Sequence, residues 1–175
     1  MILVYTNKAS LVADTEQFDA KAAAKKLMSM SGLEGLRYML AGNHPPPSIA
    51  ATLGFTLAEV EDGRALFIGE PSERILNPLG IVHGGWALTL IDSCTGCAAH
   101  STLPANVGYT TVETKVNFVR AITPDTGQVR AEGLVVARGR TIITAEGKIT
   151  DSRGRLLAHG TSTLIVLRPE GKNQQ

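Results

Sequence analysis

The stretch GGWALTLIDSCTGCAAH, residues 84–100, decides the fold of this chain. Apolar or small side chains occupy almost every position of a helix built on these residues, so the helix has no polar face to turn towards water. A helix of this composition is buried, and the rest of the chain must supply the elements that enclose it. The stretch therefore predicts a long central helix over residues 84–100.

Runs typical of β-strands flank this helix in the sequence. Residues 52–59 and 64–69 precede it, and Asp62-Gly63 between them is a dipeptide that favours a hairpin turn. Four longer runs follow it, at 109–120, 127–137, 141–150 and 156–167. Breaks rich in Gly, Pro, Asp and Ser separate these runs, and such short connections favour antiparallel pairing. We predict an α+β fold in which one antiparallel sheet of about five or six strands wraps around the central helix.

A helical arm is predicted ahead of this unit. Apolar side chains recur at helical spacing in residues 16–30, Ser31-Gly32 interrupts the pattern, and residues 33–40 favour a short second helix. The three prolines of residues 42–47 remove backbone donors and fix φ, which excludes a helix or a central strand there. The predicted organisation is an N-terminal helical arm of residues 1–47 packed outside a main domain of residues 48–168, with a C-terminal tail of residues 169–175.

The composition is that of an ordinary globular protein. Of the 175 residues, 43% are hydrophobic and 19% are charged, and the formal net charge is +1. Lys and Arg form no basic stripe and there is no acidic tail, which argues against a nucleic-acid partner. No apolar run is long enough for a transmembrane helix or for the core of a signal peptide. We expect a cytoplasmic protein with neither a membrane nor a nucleic-acid partner.

Two cysteines, Cys94 and Cys97, have the CxxC spacing of some redox and zinc sites. No second pair of cysteines completes a zinc site, and the motif lies within the apolar helix rather than at its start. Two small buried side chains are therefore the favoured interpretation. His44, His100 and His159 show no metal-ligand spacing, so no metal ion is expected.

The start of the central helix is the first candidate for chemistry. Gly84 and Gly85 let the backbone approach a ligand closely. The free N–H groups at this end, with the positive end of the helix dipole, suit an anion or a developing oxyanion. The alternative is that the two glycines only permit a tight packing turn.

Asp92 is the second candidate, because it is a carboxylate in a run that is otherwise almost free of charge. A buried Asp needs a partner or a purpose. It is a candidate general base or nucleophile. The alternative is a structural carboxylate that Ser93 or Thr95 satisfies.

Taken together, Asn77-Pro78-x-Gly80-x-x-His83-Gly84-Gly85 and the later Asp92 resemble the signature of the phenylacetate-pathway (PaaI-type) thioesterases, a branch of the hotdog-fold superfamily. Residues 111–120 and 154–161 resemble that family's first strand after the helix and its last hairpin. The resemblance covers roughly residues 50–167 and leaves the arm unexplained. Two positions depart from the family, with Ala121 where proline is frequent and Thr110 or Thr111 where some relatives have serine.

This resemblance implies a hotdog fold and hydrolysis of an acyl-CoA thioester to the free acid and CoA. In such enzymes the amide of the residue matching Gly84 polarises the thioester carbonyl, and the carboxylate matching Asp92 activates water or attacks directly. Asn77 would position the water or the carbonyl, His83 would support the loop and the thioester, and Thr111 would add a hydrogen bond unless it is an ordinary strand residue. Coenzyme A is part of the substrate, so no separate cofactor is implied.

The resemblance also implies a homodimer or a dimer of dimers (a homotetramer), in which the neighbouring subunit supplies the carboxylate of each site. Further substrate-binding candidates are Gly85 and Trp86 at the helix start, and Arg120, Arg138 and Arg140 for the phosphates of coenzyme A. Core packing for Trp86 and solvated surface positions for the arginines are the alternatives. Two other functions stay open, a non-catalytic acyl-CoA-binding protein and a hotdog dehydratase that acts on β-hydroxyacyl thioesters. The sequence does not define the acyl group.

Overall fold

The computed structural model describes residues 20–169. Its helices are α1 (Ala20–Met28), α2 (Gly32–Leu40), α3 (Ser48–Leu53) and α4 (Gly84–Ser101). Its strands are β1 (Phe55–Glu61), β2 (Arg64–Gly69), β3 (Gly108–Phe118), β4 (Val129–Arg138), β5 (Ile142–Thr150) and β6 (Leu156–Leu167). Two short 3₁₀ turns lie at Glu73–Ile75 and Pro124–Thr126.

The strands form one sheet in the order β1-β2-β4-β5-β6-β3, and every neighbouring pair is antiparallel. Helix α4 packs against this sheet, and its Leu90, Ile91 and Cys94 side chains are fully buried. The predicted α+β fold, a sheet wrapped around one long helix, is therefore confirmed. Of the helices within residues 20–169, none is both long and apolar enough to cross a membrane.

A row of glycines lets α4 approach the sheet closely. Gly133, Gly147 and Gly160 lie opposite one another on the neighbouring strands β4, β5 and β6. A Cβ atom added to Gly133 would lie 2.3 Å from the backbone carbonyl of Cys94 on α4. Any side chain at this position would push the helix away, so the row positions α4 against the sheet.

The N-terminal arm packs on the end of α4. Helix α2 begins with a capping box in which the Ser31 backbone N–H donates to Glu34 (3.0 Å) and the Glu34 N–H donates to the Ser31 hydroxyl (3.3 Å). The Gly32 N–H donates to the Leu103 carbonyl (2.9 Å), just beyond α4. A Cβ atom on Gly32 would lie only 1.7 Å from the His100 carbonyl oxygen. The close contact shows that α2 lies directly against α4.

Two predicted elements have different boundaries in the structure. The strand predicted over residues 52–59 begins at Phe55 instead, because Thr52 belongs to α3 and its hydroxyl donates to the Ser48 carbonyl (2.9 Å). The chain then turns at Gly54, where φ is +69°. The helix predicted over residues 16–30 is α1, which ends at Met28; residues 16–19 lie outside the described residues.

Candidate active site

The loop that leads into α4 is held together by Asn77. Its side-chain Oδ1 accepts hydrogen bonds from the Leu79 N–H (2.9 Å) and the Ile81 N–H (3.2 Å). Its backbone N–H donates to the Ile81 carbonyl (2.8 Å), and Gly80 takes a φ of +77° to complete the turn. Because Oδ1 is used within the loop, the Nδ2 amide is the part of Asn77 that can donate to a ligand.

His83 caps the start of α4. It has extended backbone angles (φ −61°, ψ 135°), and its Nδ1 accepts a hydrogen bond from the Gly85 N–H at 2.9 Å. A Cβ atom on Gly85 would lie 3.0 Å from that same Nδ1. Glycine at position 85 therefore lets the imidazole ring fold over the helix start.

The Gly84 N–H is the donor that this cap leaves open. Gly84 is the first residue of α4, and no acceptor for its N–H lies among residues 20–169. The N–H groups at a helix N-terminus carry partial positive charge, so this donor suits an oxygen that gains negative charge. The ring of Phe118 lies close by, since a Cβ atom on Gly84 would be 3.0 Å from Phe118 Cζ.

Gly84 lines a cavity of about 310 Å³, here called the helix-start cavity. Residues of the 77–87 loop and helix start, the end of β3 and the start of β6 form its wall: Asn77, Ile81, Val82, His83, Gly84, Ala87, Phe118, Val119, Arg120, Ala121, Ile122, Leu157 and Ala158. Arg120 is exposed, and its Nη1 donates to the Leu156 carbonyl at 2.5 Å. The structure thus brings Asn77, His83, Gly84 and Arg120 together around one cavity.

Asp92 is half-buried on α4 and is held by a chain of hydroxyl groups. The Thr114 hydroxyl of β3 donates to Asp92 Oδ1 at 3.3 Å and lies 3.0 Å from the Ser162 hydroxyl of β6. Ser162 in turn lies 2.8 Å from the Thr95 hydroxyl, which donates to the Ile91 carbonyl (2.7 Å). The carboxylate partner is therefore Thr114, a residue that the sequence analysis did not select, in place of Ser93 or Thr95.

Asp92 lines a different cavity, of about 850 Å³, which lies between the arm and the main unit and is here called the arm cavity. Its wall consists of Leu36, Met39, Leu40, Gly42, His44, Pro45, Pro46, Pro47, Ile49, Ala50, Phe55, Thr56, Leu57, Ala58, Phe67, Asp92, Ser93, Cys97 and Tyr109. Eight residues of helix separate Gly84 from Asp92, which corresponds to about 12 Å along the axis and about 80° around it. Within one chain, the open N–H and the carboxylate thus face different spaces.

The remaining predicted residues lie elsewhere. Trp86 is 3% exposed, and its Nε1–H donates to the Leu53 carbonyl at 2.7 Å. It is absent from both cavity walls, and its ring packs against Gly69, so the structure gives it a core-packing role. Thr111 is half-buried on β3, and Arg138 and Arg140 are exposed near the end of β4; none of the three lines either cavity.

The two cysteines are packing residues. Cys94 is fully buried, as predicted, and Cys97 is half-buried in the wall of the arm cavity. Burial raises the pKa of both thiols, since it disfavours the thiolate form. Within residues 20–169, no group of three or more His, Cys, Asp or Glu side chains is arranged to hold a metal ion.

Comparison with known proteins identifies the family. The family model described as the thioesterase superfamily matches residues 79–158. A Saccharolobus solfataricus protein that is named an esterase is 30% identical over 116 residues, which make up 66% of this chain and 81% of that protein. The chain belongs to the thioesterase superfamily.

Other similar proteins are consistent with this assignment. The 1,4-dihydroxy-2-naphthoyl-CoA hydrolase of Listeria monocytogenes is 26% identical over 115 residues, 66% of this chain and 92% of that enzyme. The crystal structure of AziG from S. sahachiroi has 27% identity and a TM-score of 0.68, covering 72% of this chain and all of AziG. A Ralstonia eutropha thioesterase described as phenylacetic acid degradation-related has 27% identity and a TM-score of 0.68. The match covers 74% of this chain and 97% of the Ralstonia protein. These relatives support hydrolysis of thioesters in general.

Proposed function

We propose that this protein is a cytoplasmic acyl-CoA thioesterase of the PaaI type, which hydrolyses acyl-CoA to the free acid and CoA. The observation that carries the proposal is the Gly84 N–H, which has no acceptor among the described residues and faces the helix-start cavity at the positive end of α4. The Listeria relative is named as a hydrolase of a CoA thioester, and the Ralstonia relative is described as phenylacetic acid degradation-related.

The Gly84 N–H donates to the thioester carbonyl oxygen. This oxygen gains negative charge as the carbonyl carbon becomes tetrahedral, so a fixed donor stabilises the transition state more than the ground state. The Nδ2 amide of Asn77, on the same cavity wall, is a second donor that positions the carbonyl. His83 keeps the helix start that carries the Gly84 N–H in place through its cap on Gly85.

Asp92 supplies the general base or the nucleophile of the reaction. As a general base, its carboxylate takes a proton from water while the water oxygen bonds to the carbonyl carbon. The C–S bond then breaks, and the CoA thiolate leaves and takes up a proton. As a nucleophile, the carboxylate would attack the carbonyl carbon and displace the CoA thiolate as the C–S bond breaks, and water would then hydrolyse the resulting anhydride to the free acid and the Asp92 carboxylate. The Thr114 hydroxyl orients the carboxylate in both cases.

A complete site joins Gly84 of one subunit to Asp92 of another. The separation of about 12 Å along α4 prevents both groups of one chain from reaching the same carbonyl. Strand β3 lies at the edge of the sheet and is 11 residues long, with hydrogen-bonding groups that a second copy can pair. A homodimer or a dimer of dimers is therefore the proposed active form.

Arg120 is the proposed contact for the phosphates of coenzyme A, because it lies in the wall of the helix-start cavity and is exposed. Arg138 and Arg140 lie away from that wall within the same chain, so a role for them requires a CoA moiety that extends along the surface or reaches another subunit.

The test is thiol release from a panel of acyl-CoAs, measured with a thiol reagent for the wild type and for Asp92→Asn. We expect turnover by the wild type and a loss of about 10²–10⁴-fold in kcat for Asp92→Asn, because the amide cannot act as base or nucleophile. Asp125→Asn, at an exposed aspartate outside both cavity walls, is the matched control and should keep normal turnover. Tight binding of acyl-CoAs without thiol release would favour a non-catalytic binding protein, and hydration of enoyl-CoA would favour a dehydratase.

A further inference from the structure

The arm cavity is much larger than the helix-start cavity, and the N-terminal elements form its outer side. Helix α2 contributes Leu36 and Met39, and α3 contributes Ile49 and Ala50. The three prolines between these helices line the same space. The opposite side is formed by the main unit, with aromatic and aliphatic side chains of β1 and β2 and with the Asp92 turn of α4.

We propose that this cavity is the acyl pocket, and that α2, the proline segment 45–47 and α3 form the wall that selects the acyl group. The substrates are thioesters of apolar, uncharged acyl groups, either medium-length aliphatic chains or aryl groups. The inference rests on the proposed function, since it assigns the reacting carbon to the Asp92 end of the cavity.

The polarity of the wall defines this substrate class. Among the described residues of the wall, Asp92 is the one carboxylate, and most of the other lining side chains are apolar. An acyl tail that leads away from the reacting carbon at Asp92 would contact Phe55, Leu57 and Phe67 on one side and the arm on the other. A negatively charged tail would lose its hydration there, and the described residues of the wall include no lysine or arginine to pair with it, so its burial is costly.

The size of the cavity sets a lower limit on the length of the acyl groups that fill it. Its volume of about 850 Å³ lies near the upper end of the usual range for small-molecule sites. An acetyl group would leave most of the wall uncovered. Exposed apolar side chains on the wall, such as Leu40 (41% exposed) and Ile49 (49% exposed), would be covered by a longer chain or a ring.

The arm and α3 lie outside the part of the chain that the family model matches, which is residues 79–158. The AziG match spans the whole of AziG but leaves more than a quarter of this chain without a counterpart. The family model therefore does not describe the wall that these elements form.

The first test compares acyl groups on the wild type. From butyryl- to octanoyl-CoA, kcat/KM should rise about fourfold per added methylene, the factor that corresponds to about 0.8 kcal/mol per buried CH₂. Pentanoyl- and glutaryl-CoA have acyl chains of equal length, and glutaryl-CoA should be at least about tenfold poorer because its carboxylate must be desolvated. Phenylacetyl-CoA distinguishes an aryl from an aliphatic preference. A flat chain-length profile, or equal rates for pentanoyl and glutaryl groups, would overturn the proposal.

The second test narrows the wall. Ile49→Trp on α3 and Met39→Trp on α2 should each lower kcat/KM for octanoyl-CoA by about tenfold and leave butyryl-CoA within about twofold, since a larger side chain removes the space for the longer tail. Ala51→Trp is the matched control, because Ala51 is exposed on α3 and does not line the cavity. If both wall variants kept the wild-type profile, or if the control changed it equally, the wall would have no role in selection.

Binding of Nile red, a neutral polarity-sensitive dye, separates this inference from the proposed function. If no acyl-CoA is hydrolysed, the proposed function fails, yet the dye should still bind and be displaced by 1-octanol, which carries no charge. Ile49→Trp should weaken dye binding about tenfold, and Ala51→Trp should not. An absence of dye binding, or equal binding by wild type and both wall variants, would overturn the apolar pocket whatever the thioesterase assay shows.

Discussion

At the scale of single residues, the role of the Gly84 backbone N–H can be tested directly by substitution. Proline at the first position of a helix is favoured, and His83 before it already has the extended angles that precede proline. Gly84→Pro therefore deletes the N–H with little cost to the helix. Gly84→Ala, like Gly84→Pro, places a Cβ atom against Phe118, whose side chain is 60% exposed and can move. Unlike the proline variant, it keeps the backbone N–H at position 84.

We expect Gly84→Pro to lower kcat by about 10²–10³-fold, as for the loss of one oxyanion donor. Gly84→Ala should stay within about tenfold of the wild type. Steady-state kinetics on both variants, with circular dichroism to check the fold, measures the difference. Equal kcat values for folded Gly84→Pro and Gly84→Ala would show that the Gly84 N–H has no role in the mechanism.

The Thr114 hydroxyl is expected to position the Asp92 carboxylate. Thr114→Val removes the donor at nearly constant shape, so kcat should fall by about tenfold while KM changes little, a loss typical of one hydrogen bond to a charged group. Thr114→Ser should restore kcat because it keeps the hydroxyl. A loss of stability with unchanged kcat in Thr114→Val would indicate a purely structural hydroxyl.

These two residues also show what the sequence can predict about a site. Asn77, His83 and Gly84 are close in sequence, so their spacing alone brings them to one cavity. Thr114 reaches Asp92 only through the packing of β3 on α4, and no spacing rule contains that information. The sequence leaves two roles open for Trp86, because an aromatic residue at a helix start is apolar in either role. Its burial and its hydrogen bond to the Leu53 carbonyl favour core packing.

Among the elements, the contact between α4 and the sheet depends on the glycine row. Gly133→Ala would place a Cβ atom 2.3 Å from the backbone of Cys94, which cannot move without the helix. We expect it to lower the free energy of unfolding by at least about 1–3 kcal/mol, as overpacking does. Gly147→Ala meets side-chain atoms at 3.1–3.2 Å and should cost less. Urea denaturation of both variants is the measurement, and equal losses would contradict this account of the row.

The elements themselves were largely predictable, whereas their order in the sheet was not. Strand-like runs and the turn residues between them predicted all six strands to within a few residues. The pairing of β3 with β6, which leaves β3 at the sheet edge, depends on long-range contacts that a local pattern does not contain. The error at Thr52 has a local cause, since Pro47 caps a short helix, Ser48–Leu53, that overlaps the strand-like run predicted from residue 52.

At the scale of the whole molecule, the stability of the fold should depend on pH through His100. Burial lowers the pKa of His100 below its usual value of 6.5, and its Nδ1 is buried without a partner among the described residues. Folding therefore favours the neutral imidazole relative to the unfolded chain, so the unfolded state binds more protons as the pH falls through about 6.5. Stability should fall as the pH drops from 6.5 towards the lower folded pKa.

We expect the free energy of unfolding of the wild type to decrease by about 1 kcal/mol between pH 7.5 and 5.5, within the limit of about 1.4 kcal/mol per pH unit for one proton. His100→Gln should remove most of this dependence. His159→Gln, at an exposed position, should keep it. Urea denaturation at both pH values is the measurement, and an unchanged slope in His100→Gln would contradict the assignment.

The central claim is that one site joins Gly84 of one subunit to Asp92 of another. Its direct test is to mix subunits of Gly84→Pro and Asp92→Asn by co-expression or by refolding together, and to measure thiol release from octanoyl-CoA. In a symmetric dimer with shared sites, each mixed dimer has one intact site, so random mixing should restore about a quarter of the wild-type activity. Mixed assemblies that sediment as the wild type does but stay as inactive as the two parents would contradict the account.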